Sequence, residues 1–186
     1  MVCFKYVLIM YVKIANMSDL RPKFCQTVTS YLIHKNKILL VKHKKLGIWI
    51  MPGGHIDEGE LPYEAAEREF QEETNIKVRA KVDQIGDNLE KNNFVPNPFI
   101  SVLAWISKEN YDLRMKGEKP NKKWPRGCEK HFDFGYLVEP TEGIEYKQNI
   151  NETDGIDWFS FEDIDELDTY DDIKESIKQA FRLSEK

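Results

Sequence analysis

Cysteine is scarce: the 186 residues contain only Cys3, Cys25 and Cys128. An odd number at wide spacing argues against a disulfide framework or a zinc knuckle and fits a reducing, cytoplasmic setting. Basic charge is not in surplus, with 27 Lys and Arg against 32 Asp and Glu and a net charge of -5. That excludes broad, sequence-independent binding to a nucleic-acid backbone, which needs a basic face, and no DNA-binding motif is present. It leaves room for a phosphate ligand held through metal ions. Long hydrophobic runs are also missing. The most apolar stretch, MVCFKYVLIMYVKIA, is broken by Lys5 and Lys13, and its uninterrupted part, Tyr6 to Val12, falls far short of the ~20 residues that span a bilayer. No small-residue cleavage site follows, so a signal peptide and a membrane partner are not expected. Residues 1–16 read as an apolar appendage, either upstream of a start at Met17 or an added edge strand.

Hydrophobic residues make up 41% of the chain and charged residues 32%, the balance of a soluble globular protein. The length suits one domain, over residues 17–186. Phe24 to Ile33 and Lys37 to Lys42 are β-branched and aliphatic runs flanking His34-Lys35-Asn36, which predicts a hairpin. Ile48 to Met51 stops at Pro52-Gly53-Gly54, a loop marker. Leu61 to Thr74 is rich in Glu and Ala, which predicts a helix with Pro62 in its first turn and Leu61 as a poor N-cap. Ile76 to Ile85, Phe99 to Ile106, Phe132 to Val138 and Ile156 to Phe159 read as strands, and Asp112 to Glu129 as a long basic surface loop. Phe161 to Leu167 and Tyr170 to Leu183 read as helices, the latter with Ile173, Ile177 and Phe181 on one stripe. This order implies an α/β fold with a mixed sheet covered on both faces.

The informative segment is GGHIDEGELPYEAAEREFQEETNI, from Gly53 to Ile76. On a helix, Glu69, Glu72 and Glu73 fall within a sector of about 100°. Like charges on one face repel, so stability gives no reason for them; a solvated acidic face is the plain alternative. Carboxylate oxygens are hard ligands, and such a cluster after a glycine turn suits Mg²⁺ or Mn²⁺ ions that keep waters and bridge to substrate phosphates.

This segment closely resembles the Nudix box, G-x5-E-x7-R-E-U-x-E-E-x-G-U, where U is a bulky aliphatic or aromatic residue. Gly54, Glu60, Arg68-Glu69, Phe70, Glu72-Glu73 and Ile76 fill its positions. Asn75 stands where a glycine is usual, and Asn is the next-best residue for a left-handed helix end. Trp49 to Gly54 and Trp158-Phe159-Ser160 resemble the family's flanking segments. Over about residues 24–184 the resemblance implies a MutT-like, Nudix-type α/β/α sandwich. The implied activity is a pyrophosphohydrolase that cleaves a nucleoside diphosphate linked to another group by water attack on phosphorus. Its small-molecule substrates would be nucleoside triphosphates, non-standard ones included, or nucleotide sugars. The resemblance further implies that Glu69, Glu72, Glu73 and the Gly54 carbonyl hold Mg²⁺ or Mn²⁺. Arg68 would pair with Glu60 and orient Glu69. The general base would be a box glutamate, or Glu152 on the loop from Asn149 to Gly155. Two other functions stay open: a Nudix hydrolase of capped or triphosphorylated RNA 5′ ends, and a non-catalytic Nudix-fold nucleotide sensor. The complete set of Arg68, Glu69, Glu72 and Glu73 argues against the sensor.

Two weaker signals complete the reading. His131, Asp133 and Gly135 alternate on one face of a strand with aromatics on the other; the strand either lines the substrate cleft or is a core stripe with its polar residues outward. Trp124 lies among Lys116, Lys119, Lys122, Lys123 and Arg126. That segment either clamps a polyphosphate or RNA end and stacks a base, or is a solvated insertion. Residues 1–16 could also pair two chains as a homodimer.

Overall fold

The structure, a computed structural model, describes residues 20–81 and 95–184. The appendage 1–16 and the 82–85 end of the expected strand lie outside these residues. Lys35 and Asn36, at φ 48° and 57°, turn the hairpin between β1 (Phe24–His34) and β2 (Lys37–His43); two successive left-handed residues give a turn whose twist matches that of the strands. β2 also pairs antiparallel with β3 (Trp49–Ile50) and with β8 (Thr153–Ser160). β4 (Gly53–His55) pairs with β1, and β5 (Val78–Ala80) and β6 (Ile100–Trp105) pair with β7 (Lys130–Pro140). The main path of the sheet is β3-β2-β1-β7-β5. Asp133 accepts hydrogen bonds from Thr27 and Thr29, and Gly135 lies against Tyr31. β1 and β7 therefore run in the same direction, and the sheet is mixed.

The chain divides into two compact units. In the unit formed by Gln26–Val102 and Asp133–Lys186, alternation along the strands sends side chains to two opposite cores. Val28, Leu32 and Leu39 pack with Ala65, Ala66 and Phe70 of α1 (Pro62–Thr74). Tyr31, Ile38 and Leu40 pack with Ile177, Ala180 and Phe181 of α3 (Asp171–Ser184). Phe70 and Ile177 are fully buried, and each such side chain contributes about 1.5–3 kcal/mol. The unit is an α/β/α sandwich. The helix expected over Phe161 to Leu167 is only a 3₁₀ turn, Phe161–Asp163. Ser160 caps the start of this turn, with the Asp163 carboxylate accepting from its amide and hydroxyl.

The other unit, Met1–Cys25 with Leu103–Phe132, corrects two expectations. The segment read as a loop from Asp112 opens inside a helix, α2 (Lys108–Met115), whose N-cap Ser107 accepts from the Asn110 amide. Asn110, nearly fully buried, then donates to the carbonyls of Trp124 and Cys128 and accepts from the Asn121 amide. Buried Glu129 accepts from the Lys23 amide and from the Arg114 guanidinium. Cys25 and Cys128 are joined in a disulfide, contrary to the expectation of unpaired cysteines: their 103-residue separation hides that the β1 end and the approach to β7 lie side by side. Among the described residues no helix is long and apolar enough to cross a membrane.

Candidate active site

Helix α1 brings the acidic residues to the sheet. The weak N-cap at Leu61 is offset by Glu64, whose carboxylate accepts from the Leu61 amide at 3.1 Å. Asn75 ends the helix in the left-handed region, φ 63°, with its amide donating to Gln71. Ala65 and Ala66 are fully buried, and their small side chains let the helix lie close on the sheet. The next turn of the same face carries Glu69 and Glu73 inward. Glu69 rests on the Cα of Gly54, where an added Cβ would fall 2.4 Å from its Cδ. Glu73, only 9% exposed, accepts from the Gly53 amide at 3.2 Å. The Glu72 side chain is half exposed.

Arg68 organises this face. It grips Glu60 with Nε and Nη2, both at 2.8 Å, and donates through Nη1 to Glu69 at 2.8 Å and Glu72 at 3.3 Å. Nη2 also reaches the His55 carbonyl at 3.0 Å. A planar fork with five fixed donors makes all five of these bonds at once, where an ammonium has only three donors. The Arg68 hydrogen bonds hold the Glu60 carboxyl below its ordinary range. Burial pushes Glu69 up, against the pull of Arg68. Burial pushes Glu73 up to about 8, the Gly53 amide opposing and the charges of Glu69, Glu152 and Glu72 adding to the rise. Among the described residues that amide is the only donor to Glu73. A buried carboxylate among three others, with no cation of its own, fits a hard divalent ion. Mg²⁺ and Mn²⁺ match this all-oxygen donor set.

Glu152 reaches the site on a loop stitched to the end of α1. The amides of Lys147 and Asn149 donate to the carbonyls of Thr74 and Glu73, at 2.8 and 3.2 Å. The charge of Glu152 acts on both Glu69 and Glu73. Gly54, Arg68, Glu69, Glu72, Glu73 and Glu152 are thus gathered in one unit. Asp133 belongs to the same unit; its carboxylate accepts from Thr27 and Thr29, each at 2.7 Å, and burial raises its pKa against those bonds. His131, on β7, and Trp124 belong to the unit of Leu103–Phe132. Trp124 is tied by its backbone to Asn110 and Asn121, with Lys123 Nζ 5.7 Å from its ring centroid.

The family model of the NUDIX domain matches residues 23–181. The chain belongs to the NUDIX family. Among solved structures, a NUDIX-family hydrolase from Clostridium perfringens is similar at TM-score 0.67 and 27% identity, over 87% of this chain and 98% of that one. The MutT protein from Methanosarcina mazei Go1, at TM-score 0.60 and 16% identity over 89% and 99% of the two chains, shares the fold. Among curated relatives, an RNA pyrophosphohydrolase from Azorhizobium caulinodans is 54% identical over 96 residues, 50% of this chain and 45% of that protein. The asymmetrical bis(5′-nucleosyl)-tetraphosphatase of Rattus norvegicus is 31% identical over 106 residues, 55% of this chain and 68% of that protein. The chain spans less than half the length of the first two curated relatives it matches. Within this Nudix domain the box residues were legible from their resemblance to the family's box. Asn149 was not: its side chain donates to the Glu72 carbonyl across 77 residues, and only the turn-forming run Asn149-Ile150-Asn151 hinted at a structured loop.

Proposed function

We propose that this Nudix domain is a divalent-cation-dependent pyrophosphohydrolase that cleaves a nucleoside diphosphate linked to another group. The observation that carries the reading is the seat of Glu69 on Gly54, with Arg68 forked between Glu60, Glu69 and Glu72. Carboxylates so crowded repel one another, and their fixed arrangement is better accounted for by a cation than by stability. Glu69, Glu72, Glu73 and the Gly54 carbonyl would hold Mg²⁺ or Mn²⁺. Bound there, such ions neutralise phosphate charge and make water more acidic. Arg68, locked by Glu60, fixes the rotamer of Glu69 and favours its ionised form against the opposing effect of burial. Glu152 accepts the proton of the attacking water as its oxygen bonds to phosphorus. The bridging P–O bond breaks, and its electron pair leaves with the departing phosphate.

A second reading, a hydrolase of RNA 5′ ends, is favoured by the 54% identity to a protein named RNA pyrophosphohydrolase. The test is one assay of the full chain with Mg²⁺. Its panel holds standard and oxidised nucleoside triphosphates, nucleotide sugars, a dinucleoside tetraphosphate, and triphosphorylated and capped RNA, with products separated by ion-exchange chromatography. Cleavage of a small nucleotide at an anhydride supports the first reading, and cleavage of RNA alone supports the second. Binding without any product contradicts both and makes the domain a sensor.

A further inference from the structure

An α-helix leaves its last four carbonyls without partners in the helix. In α1 these belong to Gln71, Glu72, Glu73 and Thr74, and the structure satisfies every one. Asn75 takes the first within the cap, through its amide to Gln71. The other three go to the stretch 147–149: the Lys147 amide to Thr74, the Asn149 amide to Glu73, and Asn149 Nδ2 to Glu72. Two of the three carbonyls held by this loop therefore belong to the residues whose carboxylates form the acidic face.

Asn149 uses each of its polar groups. Besides these two donors, its Oδ1 accepts from the Asn151 amide at 3.1 Å. Its carbonyl accepts from the amides of Glu152 and Thr153, at 3.1 and 3.0 Å, and from the Thr153 hydroxyl at 3.1 Å. The loop is closed further by Gln148, whose side chain donates to the Thr153 carbonyl. Lys44 Nζ holds the Ile150 carbonyl from the other side. One residue, through its amide and its side chain, thus joins the backbone of Glu73 and Glu72 to the turn that ends in Glu152, whose own side chain is exposed.

We propose that Asn149 is a positioning residue that fixes Glu152 against the carboxylates of α1. This rests on the role given to Glu152 above. Asparagine suits the position because it needs a donor for Glu72 and an acceptor for Asn151 on one short stem. Aspartate lacks the donor and would add a negative charge to a face that already repels itself, and serine is too short to reach both partners.

The experiment is a double-mutant cycle on the full chain with Mg²⁺ and the nucleotide cleaved fastest in the panel: Asn149→Ala, Glu152→Gln and the pair, with kcat, KM and melting temperature for each. Asn149→Ser repeats the cycle should the alanine variant fail to fold. The expected result is a fall in kcat of about 10- to 100-fold for Asn149→Ala with KM changed less than about twofold, as for other residues that orient a catalytic group. In the Glu152→Gln background the same change should cost less than about twofold, since there is no base left to position. Equal losses in both backgrounds, or a loss confined to KM, overturn the assignment of Asn149 while leaving the role of Glu152 intact. Full activity in Glu152→Gln removes the base itself and the proposal with it. A chain inactive on the whole panel refutes the hydrolase reading.

Discussion

A Cβ at Gly53 would lie 2.1 Å from the Val28 carbonyl oxygen and 2.9 Å from the Thr29 Cα, both backbone atoms of β1, whereas at Gly54 it would meet the Glu69 carboxylate. Backbone in a paired strand cannot yield; the far end of a glutamate can. Gly53→Ala should therefore cost stability, on the order of 1–3 kcal/mol or more, as overpacking does. Gly54→Ala should leave the melting temperature within about 2–4 °C, the shift of roughly 1 kcal/mol in a protein of this size. By displacing Glu69 it should lower turnover about 10- to 100-fold. Thermal melts and rates on the two variants check this; similar melts and similar rates would mean that the pair acts only as a turn. The grouping of Gly54 with Glu69 was readable because the box lies within 23 consecutive positions, Gly54 to Ile76, whereas the close approach of Gly53 to β1 was not. The partners of Asp133 and Asn149 were not, since the bonds to Thr27 and Thr29 and to Glu72 join residues 106, 104 and 77 apart.

Helix α1 has one face that packs and one stretch of it that repels. Its alanines are buried in the core, while Glu73 is buried with a pKa raised from 4.5 to about 8. A carboxyl whose pKa is higher in the folded state binds its proton more tightly there. Its contribution to stability is full below about 4.5 and is lost as the pH rises through about 8. Glu69 shifts in the same direction, whereas Glu60, Asp163 and Asp165, held below their ordinary values, titrate on the acid side of this window. In excess chelator the melting temperature should fall as the pH is raised from about 5 to about 9. With Mn²⁺ present the fall should flatten, because a cation favours the ionised carboxylate. A melting temperature that climbs with pH in chelator would contradict the burial of Glu73. In the sequence α1 was plain from its Glu- and Ala-rich, glycine-free run, and α3 from the apolar stripe of Ile173, Ile177 and Phe181. α2 was hidden because its anchors are polar, Ser107 and Asn110, and the apparent helix after Phe161 is only a 3₁₀ turn capped at its start by Ser160 and Asp163.

At the scale of the molecule, the α/β/α layering followed from the order of elements, but the pairing of Cys25 with Cys128 did not, since a separation of 103 residues carries no signal of contact. A cross-link closing so long a loop is worth about 2–4 kcal/mol. Reduction, or Cys128→Ser, should therefore lower the melting temperature by about 5–15 °C at the sensitivity of a protein of this size; equal melts with and without reductant would show that the bond does not form. A chain beginning at Met17 retains the box and every strand described, and we propose that it folds and remains active. The central claim is that the carboxylates of α1 are arranged for a divalent cation rather than for stability. It is tested most directly by measuring turnover and melting temperature of the wild-type chain, Glu72→Gln and Glu64→Gln in excess chelator and again with Mg²⁺ or Mn²⁺. The account predicts no turnover in chelator, and restored turnover with a raised melting temperature in the wild type and in Glu64→Gln, whose glutamine still accepts from the Leu61 amide. Glu72→Gln should stay folded and nearly inactive under both conditions. Full turnover in chelator, or equal losses in the two variants, would contradict it.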